Sequence, residues 1–71
     1  MLKEYRIKKG FAQEEMAELL NISWHHYQRI EIGKETPSLE TFIDIIEILK
    51  IPNDETLVLL KSFKRVFPIL Q

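Results

Sequence analysis

The chain is predicted to be all-α, a single domain of five short helices spanning residues 1–71. Three observations carry this expectation. No stretch shows the apolar–polar alternation of a strand, whereas apolar residues recur three and four apart in several windows. Helix-ending and helix-starting residues at Gly10, Asn21, Ser23, Gly33, Ser38 and Pro52 cut the chain into pieces of helical length. A chain of 71 residues also needs dense apolar packing or a partner, because it buries only about 60% of its unfolded surface. Four Phe, two Tyr and one Trp supply material for such a core.

The first piece is Leu2–Lys9, with Leu2 and Tyr5 facing one core. Gly10 suits the left-handed residue that closes it, and Lys8 and Lys9 sit at the negative end of its dipole. The second piece is Gln13–Leu20. Glu14 and Glu15 lie in its first turn, and Met16, Leu19 and Leu20 form the expected inward stripe. Ala17 is small enough for a close helix approach, while Ala12, at the cap position, offers no side-chain acceptor, a weakness of about 1 kcal/mol against Ser or Thr. Asn21 tolerates positive φ and can make the turn.

Ser23 caps the third piece, residues 24–32, which stops at Gly33. Ile22, Tyr27 and Ile30 face inward there, so Trp24, His25, Gln28 and Arg29 fall on the opposite side. Residues 34–37 form a loop ended by Pro37. Ser38 caps the fourth piece, Leu39–Leu49, whose wide apolar face carries Leu39, Phe42, Ile45, Ile46 and Leu49. Pro52 breaks it off, and Asn53 or Asp54 is expected to cap a fifth piece running to about Phe67 and ending at Pro68. Residues 54–71 hold more apolar surface than one small core needs, with Leu57 and Leu60 alongside Leu59, Phe63, Val66, Phe67 and Leu70. The last five form a candidate dimerisation element.

Composition excludes several function classes. Without cysteine there is no disulfide and no thiolate metal site, in keeping with a reducing compartment. No apolar run approaches the roughly 20 residues of a membrane span, and the charged start has no signal-peptide core. The expectation is a cytoplasmic protein with no membrane partner. The formal net charge of −1 argues against strong non-specific binding to nucleic acid. The distribution is uneven, however. Lys3, Arg6, Lys8 and Lys9 make one end basic, Lys61, Lys64 and Arg65 do the same at the other, and acids crowd the middle.

Residues 13–33 organise the rest: two short helices joined by a tight turn, the helix-turn-helix pattern. The joint spacing of Leu2, Arg6, Gly10, Gln13, Glu14, Glu15, Ala17, Leu20, Ser23, Ile30, Glu31, Gly33, Pro37, Ser38, Leu39, Glu40 and Thr41 resembles the phage repressor and Cro-like (Xre-type) helix-turn-helix family. The resemblance covers residues 2 to about 57. It implies a five-helix repressor-like domain that regulates transcription, with residues 24–32 in the major groove of double-stranded DNA.

Carried over position by position, the resemblance makes Trp24, His25, Gln28 and Arg29 the base-reading residues. Arg suits guanine O6 and N7, and Gln suits adenine N6 and N7. Trp24 departs from the polar residue often found at its place and would press on a thymine methyl, sugar or backbone. Gln13, Ser23, His26 and Lys34 become phosphate contacts, with Gln13 adding the N-terminus of its helix. Arg6 and Glu31 match a structural salt bridge between the first and third helices. Binding as a homodimer to a pseudo-palindromic site is a separate expectation, drawn from the surplus apolar tail.

Other chemistries fit less well. His25 and His26 are adjacent and point apart, whereas a helical metal site wants ligands four apart, so no metal or cofactor is expected. Glu14, Glu15 and Glu18 read as partners of the helix dipole, and no nucleophile–base pairing or phosphate loop marks an enzyme. The alternative of a different class is a protein-interaction module on the same fold, an antitoxin- or antirepressor-like partner. Trp24 and Ile32, if exposed, are where a protein partner would first show itself.

Overall fold

The structure, a computed structural model, describes residues 2–63. They form α1 (Leu2–Lys9), α2 (Gln13–Leu20), α3 (Trp24–Glu31), α4 (Leu39–Leu49) and α5 (Asn53–Ser62). The fold class is all-α, with no strand among the described residues. α2 and α3 pack against each other, and α4 lies against α1 and α2.

Four of the five helices close in the same way. Gly10, Asn21, Gly33 and Lys50 adopt left-handed φ values of 82°, 57°, 81° and 51°. Each time the following amide reaches back to a carbonyl five residues earlier: Phe11 to Arg6, Ile22 to Ala17, Lys34 to Arg29 and Ile51 to Ile46, at 2.9–3.2 Å. This satisfies carbonyls that the helix end leaves without partners. Three of the four following residues, Phe11, Ile22 and Ile51, tuck into or against the core. The fourth, Lys34, stays exposed, so the chain leaves α3 along the surface. Lys50 takes this conformation although neither Gly nor Asn stands there.

Helix starts are more varied. Ser23 and Ser38 accept from the amides of His26 and Thr41, both at 3.1 Å. Ala12 cannot accept, and only half of the reciprocal cap forms, with the Glu15 carboxylate accepting from the Ala12 amide at 2.8 Å. The expected cap of α5 at Asn53 or Asp54 is corrected to Pro52. Asn53 joins the first helical turn, and the Thr56 amide and hydroxyl both donate to the Pro52 carbonyl at 2.8 Å. α3 ends one residue earlier than expected, at Glu31. α5 ends at Ser62 because Phe63 is extended, at φ −97° and ψ 110°. The expected continuation of that helix through residues 64–67 lies outside the described residues.

The core gathers Leu2, Met16, Ala17, Leu20, Tyr27, Ile30, Phe42, Ile45, Leu49, Ile51, Leu59 and Phe63. At about 25 cal/mol per Å² this burial dominates the folding free energy. Two expected core residues are corrected. Leu19 on α2 and Leu39 on α4 are both half exposed, because Ala17 rather than Leu19 meets the neighbouring helix and Leu39 occupies the open first turn of α4. Two residues of the expected dimerisation element are corrected as well. Leu59 is 3% exposed, and Phe63 is buried with its ring edge-on to Phe42 at 6.2 Å, so both complete this chain's own core. Val66, Phe67 and Leu70 lie outside the described residues. Among those described, α5 presents Leu57 and Val58 to solvent instead.

Candidate nucleic-acid interface

α3 is held from inside by one carboxylate. The Glu31 side chain is only 3% exposed and accepts four hydrogen bonds. Arg6 on α1 donates through Nε at 2.8 Å and Nη2 at 3.1 Å. Gln13, at the start of α2, donates through Nε2 at 2.9 Å, and Tyr27, one turn earlier on α3, donates its hydroxyl at 2.8 Å. The third terminal group of Arg6, Nη1, donates to the Phe11 carbonyl at 2.8 Å. Three helices thus meet on Glu31, and Arg6 ties the first turn of the fold to them. No buried side-chain nitrogen or oxygen among the described residues lacks a partner.

The electrostatics follow from this geometry. Burial alone would push the Glu31 carboxyl up, but the bonds from Arg6, Gln13 and Tyr27 and the Arg6 charge outweigh it and hold the group below the ordinary carboxylate value. The Glu31 bond raises the Arg6 pKa further. Burial first, and then the negative Glu31, push the Tyr27 phenol well above its ordinary value. At neutral pH the site is therefore a charged pair with a neutral phenol.

On the outer side of α3, Trp24, His25 and Arg29 are exposed and Gln28 is half-buried. Trp24 is 43% exposed, its ring tilted against that of His25 with centroids 5.3 Å apart. Its indole N–H donates to Gln13 Oε1 at 3.3 Å. The Gln13 amide is thus engaged at both ends, by Glu31 within and Trp24 without. Of the other expected phosphate contacts, Lys34 and Ser23 are exposed, although Ser23 Oγ already serves the helix cap.

A residue that sequence reasoning missed stands beside this face. Glu35, in the loop after Gly33, accepts from Arg29 Nε at 2.8 Å through one oxygen. Its other oxygen takes His26 Nδ1. The Glu35 amide also donates to the Arg29 carbonyl at 3.2 Å. The Arg29 bond, together with the nearby His26 and Arg29 charges, holds the Glu35 carboxyl below its ordinary value against a smaller desolvation effect. Helical spacing rules could not reveal this contact, since it crosses a helix end. An acid placed just past a helix-closing glycine, on the side of an exposed Arg, is the one available signal.

Ile32 closes α3 and is 61% exposed, beside a shallow pocket of about 210 Å³ lined by Leu2, Ile30, Leu59 and Phe63. No group of three or more potential metal ligands occurs among the described residues, and none of their helices is long and apolar enough to cross a membrane.

These elements form a helix-turn-helix, and the helix-turn-helix family model matches residues 2–58. The chain belongs to this family, of the phage repressor and Cro-like type. It is similar to the SPbeta prophage-derived uncharacterized HTH-type transcriptional regulator YonR of Bacillus subtilis (strain 168), with 40% identity over 53 residues. The aligned part is 75% of this chain and 49% of the relative, so the chain spans about half the length of the curated relative it matches. No solved structure matches.

Proposed function

We propose that the protein is a sequence-specific DNA-binding regulator of transcription, acting in the cytoplasm, that lays α3 in the major groove of double-stranded DNA. The observation that carries this reading is the outer face of α3. Trp24, His25, Gln28 and Arg29 project from a helix whose inner side is tied through Glu31 to α1 and α2. A reading helix needs such rigidity, because base-edge hydrogen bonds tolerate little misplacement. Arg29 pairs with guanine and Gln28 with adenine, while Trp24 and His25 pack on the sugar or a thymine methyl. Lys34, Ser23, His26 and the N-terminal turn of α2 at Gln13 face the flanking phosphates. The relative's description as a transcriptional regulator supports the same reading. Neither an enzymatic step nor a cofactor belongs to it.

The protein binds as a homodimer to a pseudo-palindromic site whose half-sites lie roughly 34 Å apart. Leu57 and Val58, left exposed on α5, support pairing. Selection of bound duplexes from a random pool tests DNA reading, and failure to enrich any duplex at low salt sinks it. Sedimentation tests pairing, and a clean monomer in the presence of the selected duplex rejects the dimer. The exposed Ile32 and Trp24 favour one second reading, a protein partner on the same face. Trp24 fluorescence separates the two: a response to duplex DNA that fades with salt belongs to the first, and a response only to protein belongs to the second.

A further inference from the structure

Arg29 is held by Glu35 in a way that the reading of DNA by α3 does not by itself require. The two residues are joined twice. The Glu35 amide donates to the Arg29 carbonyl, and the Arg29 Nε donates to the Glu35 carboxylate at 2.8 Å. Gly33, at φ 81°, folds the chain back to make both bonds possible. The second carboxylate oxygen is taken by His26 Nδ1, one turn before Arg29 on the same helix. Glu35 is therefore tied by its backbone and by both side-chain oxygens.

The consequence concerns the guanidinium fork. An arginine side chain is long and loses much rotamer freedom when it docks. Here the Nε edge is fixed, and among the described residues nothing hydrogen-bonds to the two terminal nitrogens. Those are the groups that meet guanine O6 and N7 side by side. A carboxylate on the Nε edge lets the fork meet the base already oriented, so less freedom is lost on binding. It also places a negative charge beside a DNA-facing surface, which weakens attraction to phosphate at any sequence. Pre-orientation favours only a duplex that presents the guanine and so raises the ratio of specific to non-specific binding, whereas the charge weakens binding to all duplexes alike and leaves that ratio unchanged.

We propose that Glu35 is a positioning residue for base reading, which raises discrimination by holding the Arg29 guanidinium end-on, while its negative charge lowers affinity for any duplex. The inference rests on the DNA-binding reading above and adds a specificity-determining residue to it. Glu35→Gln keeps an acceptor for Arg29 and removes the charge, whereas Glu35→Ala removes both.

The test has one arm without DNA and one with it. In nitrogen-15 spectra of the free protein, a slowly exchanging Arg29 Nε–H is expected in the wild type and in E35Q, and its loss in E35A. A rapidly exchanging Nε–H in the wild type overturns the positioning role whatever DNA does. With the selected duplex and a variant changed at the guanine read by Arg29, E35A is expected to lose roughly tenfold in discrimination while binding unrelated duplex more tightly. E35Q is expected to share the tighter non-specific binding and keep most of the discrimination. If both variants tighten binding to all duplexes alike, with discrimination unchanged, Glu35 is only a charge and the inference fails while the DNA reading stands. If the wild type selects no duplex, the DNA reading fails and this inference with it.

Discussion

Glu31 and Glu35 stand four residues apart, and each gathers an arginine and a second donor from α3. Glu31 takes Arg6 and Tyr27, with Gln13 added; Glu35 takes Arg29 and His26. The surroundings separate them. The Glu31 side chain is 3% exposed and that of Glu35 is 32% exposed. A carboxylate out of water must have its hydrogen bonds completed by the protein, so Glu31 draws donors from α1, α2 and α3 and fixes their arrangement. One that keeps contact with water has no such requirement, and ion pairs of that kind add little to stability. The same chemistry therefore holds the fold in one place and, in our proposal, aims a reading side chain in the other.

The largest expected effect tests that contrast directly. Glu31→Gln leaves the buried Arg6 charge without its counter-charge and should cost about 3 kcal/mol, a large part of the stability of a small domain. It would be read as a lower urea midpoint with an unchanged slope. Glu35→Gln should leave the midpoint where it was, and equal losses for the two variants would break the comparison. The acid limb sharpens it. The folded Glu31 carboxyl titrates below its ordinary value of 4.5, so its contribution is present above that value and is lost as pH falls through the lower folded one. The Tyr27 phenol is displaced upward from 10.0, so its contribution is present below that value and is lost as pH rises beyond it. Midpoints measured across pH should fall at both extremes in the wild type, and Tyr27→Phe should flatten the alkaline fall.

Arg29→Ala ranks next and concerns the outer cluster. It should cost about 2 kcal/mol of discrimination at one guanine, roughly thirtyfold, with melting temperature unchanged. Competition gel shifts with single-base variants of the selected site would show it, and a uniform loss across all sequences would make Arg29 a phosphate contact instead. Ala12→Ser supplies the missing acceptor at the start of α2 and should stabilise the domain by about 1 kcal/mol, seen as a higher urea midpoint. Ile32→Gln is the smallest, within about 0.5 kcal/mol, because the side chain is 61% exposed. A larger loss of stability would show that Ile32 packs into the adjoining pocket more than its exposure implies.

Much of the fold was legible because its punctuation is local. Gly10, Asn21 and Gly33 have the conformational freedom that a left-handed helix closure demands, and Ser23 and Ser38 carry the oxygen that a helix start needs. Lys50 was not legible, since its left-handed φ comes from Ile51 being drawn into the core rather than from a preference of lysine. Leu19 and Leu39 were misplaced for a related reason. Periodicity marks a broad apolar face, but which edge of it meets a neighbour depends on how the helices pack. Leu59 and Phe63 read as surplus until α5 is seen to close the core over Phe42.

By itself the sequence determined the five helices, their order, the turn between the second and third, and the family, because each depends on residues within a few positions of one another or on their joint spacing. Only the tertiary structure decided where the polar groups of α3 find partners. Arg6 and Glu31 are 25 positions apart, and the Gln13 amide lies between Glu31 and Trp24, while Glu35 reaches Arg29 across a helix end. Hydrogen bonds join groups that are close in space, and that proximity exists only once the helices have packed.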